Sequence, residues 1–259
     1  MTKQKPLCVD MDGTLLRTDF LIEVLWKILY QHPLSFILLL RNCFNGLANF
    51  KHEVAKLAEK LLDLSSIPVP FNHQFLNYLQ SQYNEGREIY LVTASNELFA
   101  REIASRFNIF CDVIASNVTE NLKGVRKAKK LISRFGQYGF TYAGDAMADM
   151  PIWEFANQAI SVNANKKVSK QLSCFHDAPL VFDPKKNSFL MLLKAIRVHQ
   201  FAKNSLVFLP LFLGHLYSGP HNIKLTLMGF TVLCCIAASV YLLNDLLDLN
   251  SDRLHHHKK

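Results

Sequence analysis

The stretch Val9-Asp10-Met11-Asp12-Gly13-Thr14-Leu15 sets an apolar run, Leu7-Cys8-Val9, directly against two carboxylates one residue apart. The run is short and apolar throughout, as a strand buried on both faces is, and Gly13-Thr14 breaks it. The spacing predicts a first β-strand whose end turns Asp10 and Asp12 towards one pocket. Like charges that close repel unless a cation or a shared proton lies between them. A divalent metal would leave one carboxylate as nucleophile and the other as proton carrier. The plain alternative is an Asp-Gly turn that closes a strand.

With 259 residues, half of them hydrophobic, the chain can hold one or two domains with a sizeable core. From Ser205 into the 240s it is nearly free of charge, whereas the first 200 residues mix charged and apolar positions. This predicts a soluble head and a membrane-embedded tail. The net charge of +8 comes without a nucleic-acid-binding motif, which argues against nucleic acid and for a membrane surface and phosphorylated substrates. Cys8, Cys43, Cys111, Cys174 and Cys234-Cys235 show neither CxxC spacing nor the density of a disulfide scaffold, so reduced thiols are expected. Met1 to Pro6 leads into the first strand without an apolar segment. No cleavable signal is expected, and the head is placed in the cytoplasm beside the cytoplasmic (inner) membrane.

Leu21, Val24, Leu25, Ile28 and Leu29 recur at helical spacing until Pro33 interrupts. Ser35 to Leu40 is too short to span a bilayer, and a helix apolar nearly all round is expected to be buried rather than interfacial. A third helical pattern covers His52 to Leu64, and Phe75 to Tyr83 a fourth ending near Gly86. Residues 19–85 therefore read as a helical insertion. Strands are predicted at Glu88–Val92, Asp112–Ala115, Gly139–Ala143 and Gln158–Val162, alternating with helices. That alternation argues for an α/β, doubly wound parallel sheet with ligands at the carboxyl ends of its strands.

Those ends carry Asp10, Asp12, Thr93, Asp145 and Asp149, with Lys123 opening a basic helix. In one cleft, Asp10 would attack phosphorus and Asp12 would protonate the leaving oxygen and later activate water. Asp145 and Asp149, with the Asp10–Asp12 pair, would hold Mg²⁺. Thr93 would donate to a phosphoryl oxygen and Lys123 would offset charge. Each has a plainer reading: Thr93 ends a strand, Lys123 is a solvated charge, and the acids of Gly144-Asp145-Ala146-Met147-Ala148-Asp149 cap a helix. Asp10 to Thr14, Thr93, Lys123 and Gly144-Asp145 with Asp149 resemble the four ordered motifs of haloacid dehalogenase-like phosphatases, over about residues 1–185 of a head domain expected at 1–190. The resemblance implies an aspartyl-phosphate mechanism with Mg²⁺ and a helical cap that selects substrate. Lys127 competes with Lys123 for the motif lysine, and Lys123 is preferred because Lys-Gly opens the helix as in the phosphoserine-phosphatase-like branch.

In the tail, residues 191–259, two membrane helices are expected at about 204–218 and 225–245. Leu225 to Leu243 is uncharged over 19 residues, long enough for a ~30 Å hydrocarbon core at ~1.5 Å per residue. Arg197 and Lys203 precede the first span and Arg253, Lys258 and Lys259 follow the second, placing both ends in the cytoplasm. Directly after Asn244, Asp245, Asp248 and Asp252 fall at i, i+3 and i+7 on one helical face. They resemble the Mg²⁺-diphosphate motif of the UbiA prenyltransferase family. Arg197, Lys203 and Asn204 are similar to its phosphate-contacting entry motif, with Val198 and Phe201 departing from it. Within that family, a phosphatase-like head fused to a membrane portion is similar to the group around decaprenyl-phosphate phosphoribosyltransferase. That family's further helices and second acidic motif do not follow here, so the chain is expected to be a truncated or split fusion. It would lack transferase chemistry unless a separate segment supplies those helices. The expected activity is a membrane-tethered phosphomonoester hydrolase acting on a small-molecule or lipid-linked phosphate, such as a prenyl phosphate. A head that binds or regulates without turnover is the other alternative.

Overall fold

The structure, a computed structural model, describes residues 4–40, 47–117, 120–175, 178–182 and 188–248. Its first strand, β1 (Leu7–Val9), is buried throughout, which is why the segment is apolar on both faces rather than alternating. Leu7 and Val9 enter one core with Phe75, Leu79, Phe99 and Ile103. Cys8 enters another with Ala128, Leu131, Trp153 and Leu172. The single strand thus anchors a layer on each side of the sheet.

β1 pairs in parallel with β2 (Ile89–Asn96) and with β4 (Thr141–Gly144), so Val9 lies between Leu91 and Ala143. With β3 (Asp112–Ser116), β5 (Gln158–Val162) and β6 (Leu180–Phe182), the order is β3-β2-β1-β4-β5-β6, every pairing parallel. The winding direction reverses between β1 and β4, and a sheet of this kind leaves its ligand crevice there, beyond the carboxyl ends of the strands. The helices α4 (His73–Asn84), α5 (Glu97–Ser105), α6 (Val125–Phe135), α7 (Met150–Trp153) and α8 (Lys166–Leu172) connect the strands.

After Leu16 the chain leaves the sheet. The Arg17 N–H donates to the Pro70 carbonyl (2.8 Å) and the Asn72 N–H to the Leu15 carbonyl (3.0 Å), so the outgoing and returning segments form a narrow neck. Beyond the neck stand α1 (Phe20–Gln31), α2 (Pro33–Leu40) and α3 (Leu47–Leu61). Asp19 caps α1 by accepting from the Leu21 N–H. α2 departs from expectation: Leu39 is buried, but Leu34, Ile37 and Leu38 face outward. Among the described residues the insertion is three helices, too few to surround a helix that is apolar on all sides.

Chain contacts divide the molecule into two units, residues 1–185 and 186–259. The second contains α9 (Ser188–Ala195), a 3-10 run over Val198–Phe208, α10 (Leu209–Leu213) and α11 (Pro220–Leu247). Among the described residues, α11 alone is long and apolar enough to cross a membrane, with a mean hydropathy of 2.1 in its most apolar window. The span expected over 204–218 does not form one helix. Pro210 sits in the first turn of α10, and His215 takes a left-handed φ of 51° just after it, so five residues of α-helix are framed by tighter 3-10 turns.

Gly13 makes the turn after β1 with φ 82°, and a Cβ there would run into the Asp145 carboxylate. For a side chain this left-handed backbone costs ~1–2 kcal/mol, and each kcal/mol shifts the midpoint of a domain this size by ~2–4 °C. Gly13→Ala is therefore expected to lower the head's melting temperature by several degrees, read by circular dichroism of the full chain in detergent. An unchanged midpoint would mean that the turn accommodates a side chain.

Candidate active site

Asp10 emerges from β1 with its N–H bonded to the Ala143 carbonyl of β4 (2.9 Å), which fixes it at the reversal point. Its side chain is buried against Lys127 of α6, whose ammonium donates to Asp10 Oδ1 at 2.7 Å and to the Tyr142 hydroxyl at 3.0 Å. The Tyr142 hydroxyl donates in turn to Asp149 Oδ1 (2.9 Å), and Lys127 Nζ lies 3.8 Å from that oxygen. Asp149 Oδ2 accepts from the backbone N–H groups of Asp145 (3.3 Å) and Ala146 (3.1 Å). That carboxylate therefore shapes the turn following β4. Gly144 gives it room, since a Cβ there would stand 2.7 Å from Asp149 Oδ2.

One oxygen each from Asp10, Asp145 and Asp149 lies within 4.8 Å of the others. Hard carboxylate oxygens converging this closely are the donors Mg²⁺ prefers, and the bare Gly13 lets Asp145 approach them, so the residues present fit such an ion. Asp12, expected among the ligands, stands outside this trio. Its Oδ1 accepts from the Phe20 N–H at the start of α1 (2.9 Å) and its Oδ2 from the Ser95 hydroxyl of β2. These two donors hold its carboxylate between the start of α1 and the end of β2.

The electrostatics separate the two acids. Burial pushes the Asp12 carboxyl up to about 6, Asp19 adds to the rise, and the bonds from Phe20 and Ser95 oppose it. Burial also lifts Asp10; Lys127 pulls it back, and Asp149 and Asp12 lift it further. Burial by itself would lower Lys127, yet Asp10 and Asp149 hold it above its ordinary value. A buried cluster of acids thus balances on one ammonium.

Asp10, Asp12, Thr93, Lys123, Asp145 and Asp149 all line one cleft of ≈ 390 Å³. Thr93 is buried there and its hydroxyl accepts from the Ser95 N–H (3.0 Å). The lysine that meets Asp10 is Lys127, not the preferred Lys123, which precedes α6 and is exposed. A sequence signal for Lys127 existed: it lies one turn before Leu131 and beside Ala128, on the buried face of α6. Sequence reasoning also passed over the roles of Ser95 and Tyr142, and over Asn163, whose side-chain amide donates to the Gly13 carbonyl (3.2 Å). Arg17 and Lys51, from the neck and α3, line the cleft as well. No local pattern marks them.

The second acidic motif, at the end of α11, is tied up differently. Asp245 pairs with Arg197 (2.6 Å), and the Asn244 amide donates to Asp248 (3.0 Å). Lys203 is exposed, the Asn204 amide donates to Cys234 Sγ (3.5 Å), and Asp252 lies outside the described residues. Among the described residues no trio of metal-binding side chains forms there. Cys8, Cys111, Cys174, Cys234 and Cys235 are free thiols, and Cys43 lies outside the described residues.

No protein-family model matches the chain. The uncharacterized protein y4nM of Sinorhizobium fredii (strain NBRC 101917 / NGR234) is 34 % identical over 258 residues, 99 % of this chain and 49 % of that protein. The chain thus spans about half the length of the curated relative it matches. A solved structure, the protein with unknown function from Bordetella pertussis Tohama I, superposes with a TM-score of 0.55 at 16 % identity, over 70 % of this chain and 99 % of that one. A substrate-bound phosphoserine phosphatase gives 0.49 at 15 % identity, over 75 % and 99 %. Likeness at these identities concerns the fold alone, a parallel α/β sheet flanked by helices.

Two measurements test this electrostatic arrangement. Removing one partner of a buried ion pair costs ~3–5 kcal/mol, so Lys127→Ala is expected to lower the melting temperature sharply at neutral pH while Lys123→Ala leaves it in place. Equal effects would refute the assignment. Because the folded value of Asp12 lies above its ordinary 3.8, the folded state holds the extra proton, and the stability this contributes is lost as pH rises through about 6. The metal-free chain is expected to melt progressively lower as pH rises from 4 to about 6, with Asp12→Asn lessening the decline and Asp10, which burial also raises, carrying the remainder. Mg²⁺ at ten times its dissociation constant should restore ~1.4 kcal/mol at neutral pH.

Proposed function

We propose that the chain is a Mg²⁺-dependent phosphomonoester hydrolase, held at a membrane by α11, that works through an aspartyl-phosphate on Asp10. The observation that carries this reading is the grouping of Asp10, Lys127, Asp145 and Asp149 where the sheet reverses, with Asp12 held separately by Phe20 and Ser95. The fold is compatible with many chemistries; the site is what argues for this one.

Asp10 forms a bond to phosphorus as the bond to the leaving oxygen breaks, and Asp12 gives its proton to that oxygen. Asp12, now anionic, takes a proton from water as the water oxygen attacks the same phosphorus. The Asp10–phosphorus bond breaks, inorganic phosphate leaves and both carboxyl groups return to their starting states. Burial holds the Asp10 carboxyl above its ordinary value in the metal-free chain; Lys127 favours the anion that attack requires and opposes charge build-up during transfer. Mg²⁺ held by Asp10, Asp145 and Asp149 would supply further charge neutralisation on the phosphoryl oxygens. Thr93, which lines the cleft, would donate to one of those oxygens. An Asp12 value near 6 suits a group that must give and take a proton near neutrality. Arg17 and Lys51, which reach the cleft from the insertion side, favour an anionic substrate, and α11 favours one that is lipid-linked.

The test is phosphate release from a panel of phosphomonoesters and prenyl phosphates by the full chain in detergent with Mg²⁺. Asp10→Asn should abolish turnover, and Asp12→Asn should reduce it on the order of 10²–10⁴-fold. Release that persists in Asp10→Asn sinks the reading. The alkaline limb of kcat/KM should report Asp12, and Ser95→Ala should move that limb upward, because the lost hydrogen bond favours the anion.

A further inference from the structure

Leu34, Ile37 and Leu38 of α2 are 76, 59 and 61 % exposed, at i, i+3 and i+4 along one face of the helix. Tyr30, one turn of sequence earlier at the end of α1, is 65 % exposed. Large aliphatic side chains grouped in this way mark a surface that something covers. Beside them runs a groove of ≈ 310 Å³ between α2 and α3, lined by Leu38, Leu39, Glu53, Lys56 and Lys60 among others. Lys56 lies 3.5 Å from Glu53, and Lys60 pairs with no acid among the described residues. The patch is an apolar ridge edged by Lys60 and by the Lys56–Glu53 pair.

That chemistry fits the boundary between acyl chains and anionic headgroups, where aliphatic side chains bury a few ångströms deep and lysines meet phosphates. The occupant is also one this chain has within reach, since α11 is long and apolar enough to enter a bilayer. We propose that α2 is an interfacial helix that docks the insertion on a membrane surface bearing anionic lipid. This rests on the proposed tether and goes beyond it by assigning a second, peripheral contact to the head. It also deepens the substrate reading. α3 carries Lys51 at the cleft and Lys56 and Lys60 at the groove, so one helix connects the proposed lipid contact to the catalytic cleft over roughly 14 Å at ~1.5 Å per residue. A phosphate presented from a lipid surface suits that geometry.

The full chain is reconstituted into phosphatidylcholine vesicles with or without phosphatidylglycerol, with Ile37→Trp as reporter and Tyr138→Trp, at another exposed position, as control. With anionic lipid, the emission added by Ile37→Trp should be blue-shifted and mostly lost when acyl chains are brominated, whereas that of Tyr138→Trp should be insensitive. Adding Lys56→Glu and Lys60→Glu should weaken the quenching. Emission at position 37 that bromine does not quench overturns the proposal, including the case in which it is blue-shifted and cross-linking shows two copies packed together. Alkaline washing of the parent vesicles scores the tether separately. A chain that washes off refutes the α11 anchor, while quenching at position 37 before the wash still decides the α2 contact.

Discussion

One ammonium in a nest of carboxylates is the constraint from which the head's geometry follows. Lys127 is buried among Asp10, Asp149 and the Tyr142 hydroxyl, and in such a setting a charge without a partner is far costlier than an exposed one. The groups involved come from β1, β4, the turn after β4, and α6. Any shift between these elements would separate charges that have no solvent to turn to. The ion pair therefore fixes the reversal point of the sheet from inside, as the two apolar cores fix its faces from outside.

The insertion is coupled to that point through Asp12. Its carboxylate takes one donor from the first N–H of α1 and another from the end of β2, while the neck bonds at Leu15, Arg17, Pro70 and Asn72 limit how far α1 can swing. A movement of the insertion large enough to disturb the start of α1 would remove a hydrogen bond that favours this acid's anion and would also relieve the burial and the Asp19 charge that raise it. Substrate entry and the state of the proposed proton carrier are thus linked through the start of α1.

What could be read from the chain beforehand was what is local. β1 is visible because a strand in the middle of a parallel sheet must be apolar on both faces, and the acids at Asp10 and Asp145 are visible because each directly follows a strand, with Asp149 one turn further on. β6 was missed, being a three-residue edge strand with Leu180 and Val181 exposed. The Lys-Gly pair at the start of the helix favours Lys123, whereas the deciding feature is which face of α6 turns inward, and Lys127 lies on that face. The placement of Asp12 depended on partners eight and 83 positions away, which no spacing rule carries. The span expected at 204–218 was read from apolar content, and Pro210 and the backbone at His215 outweighed it. For α2 the composition was read correctly as apolar all round, but burial needs neighbours, and the insertion supplies few.

The one-residue spacing of the opening carboxylates acquires a physical meaning from these contacts. Asp10 is buried and Asp12 half-buried, and desolvation raises both carboxyl groups. Their partners set them apart. Asp10 faces an ammonium and two further carboxylates whose oxygens invite a divalent cation, so every positive charge brought to the cleft favours its anionic form. Asp12 faces an N–H and a hydroxyl, neutral donors that hold its direction without committing its proton, and its value near 6 leaves it able to carry either form. Pairs of titratable groups driven apart by their surroundings are how one site holds a nucleophile and an acid together. Here the division is made by two residues of chain, one turning its side chain to α6 and the other holding it between the start of α1 and the end of β2.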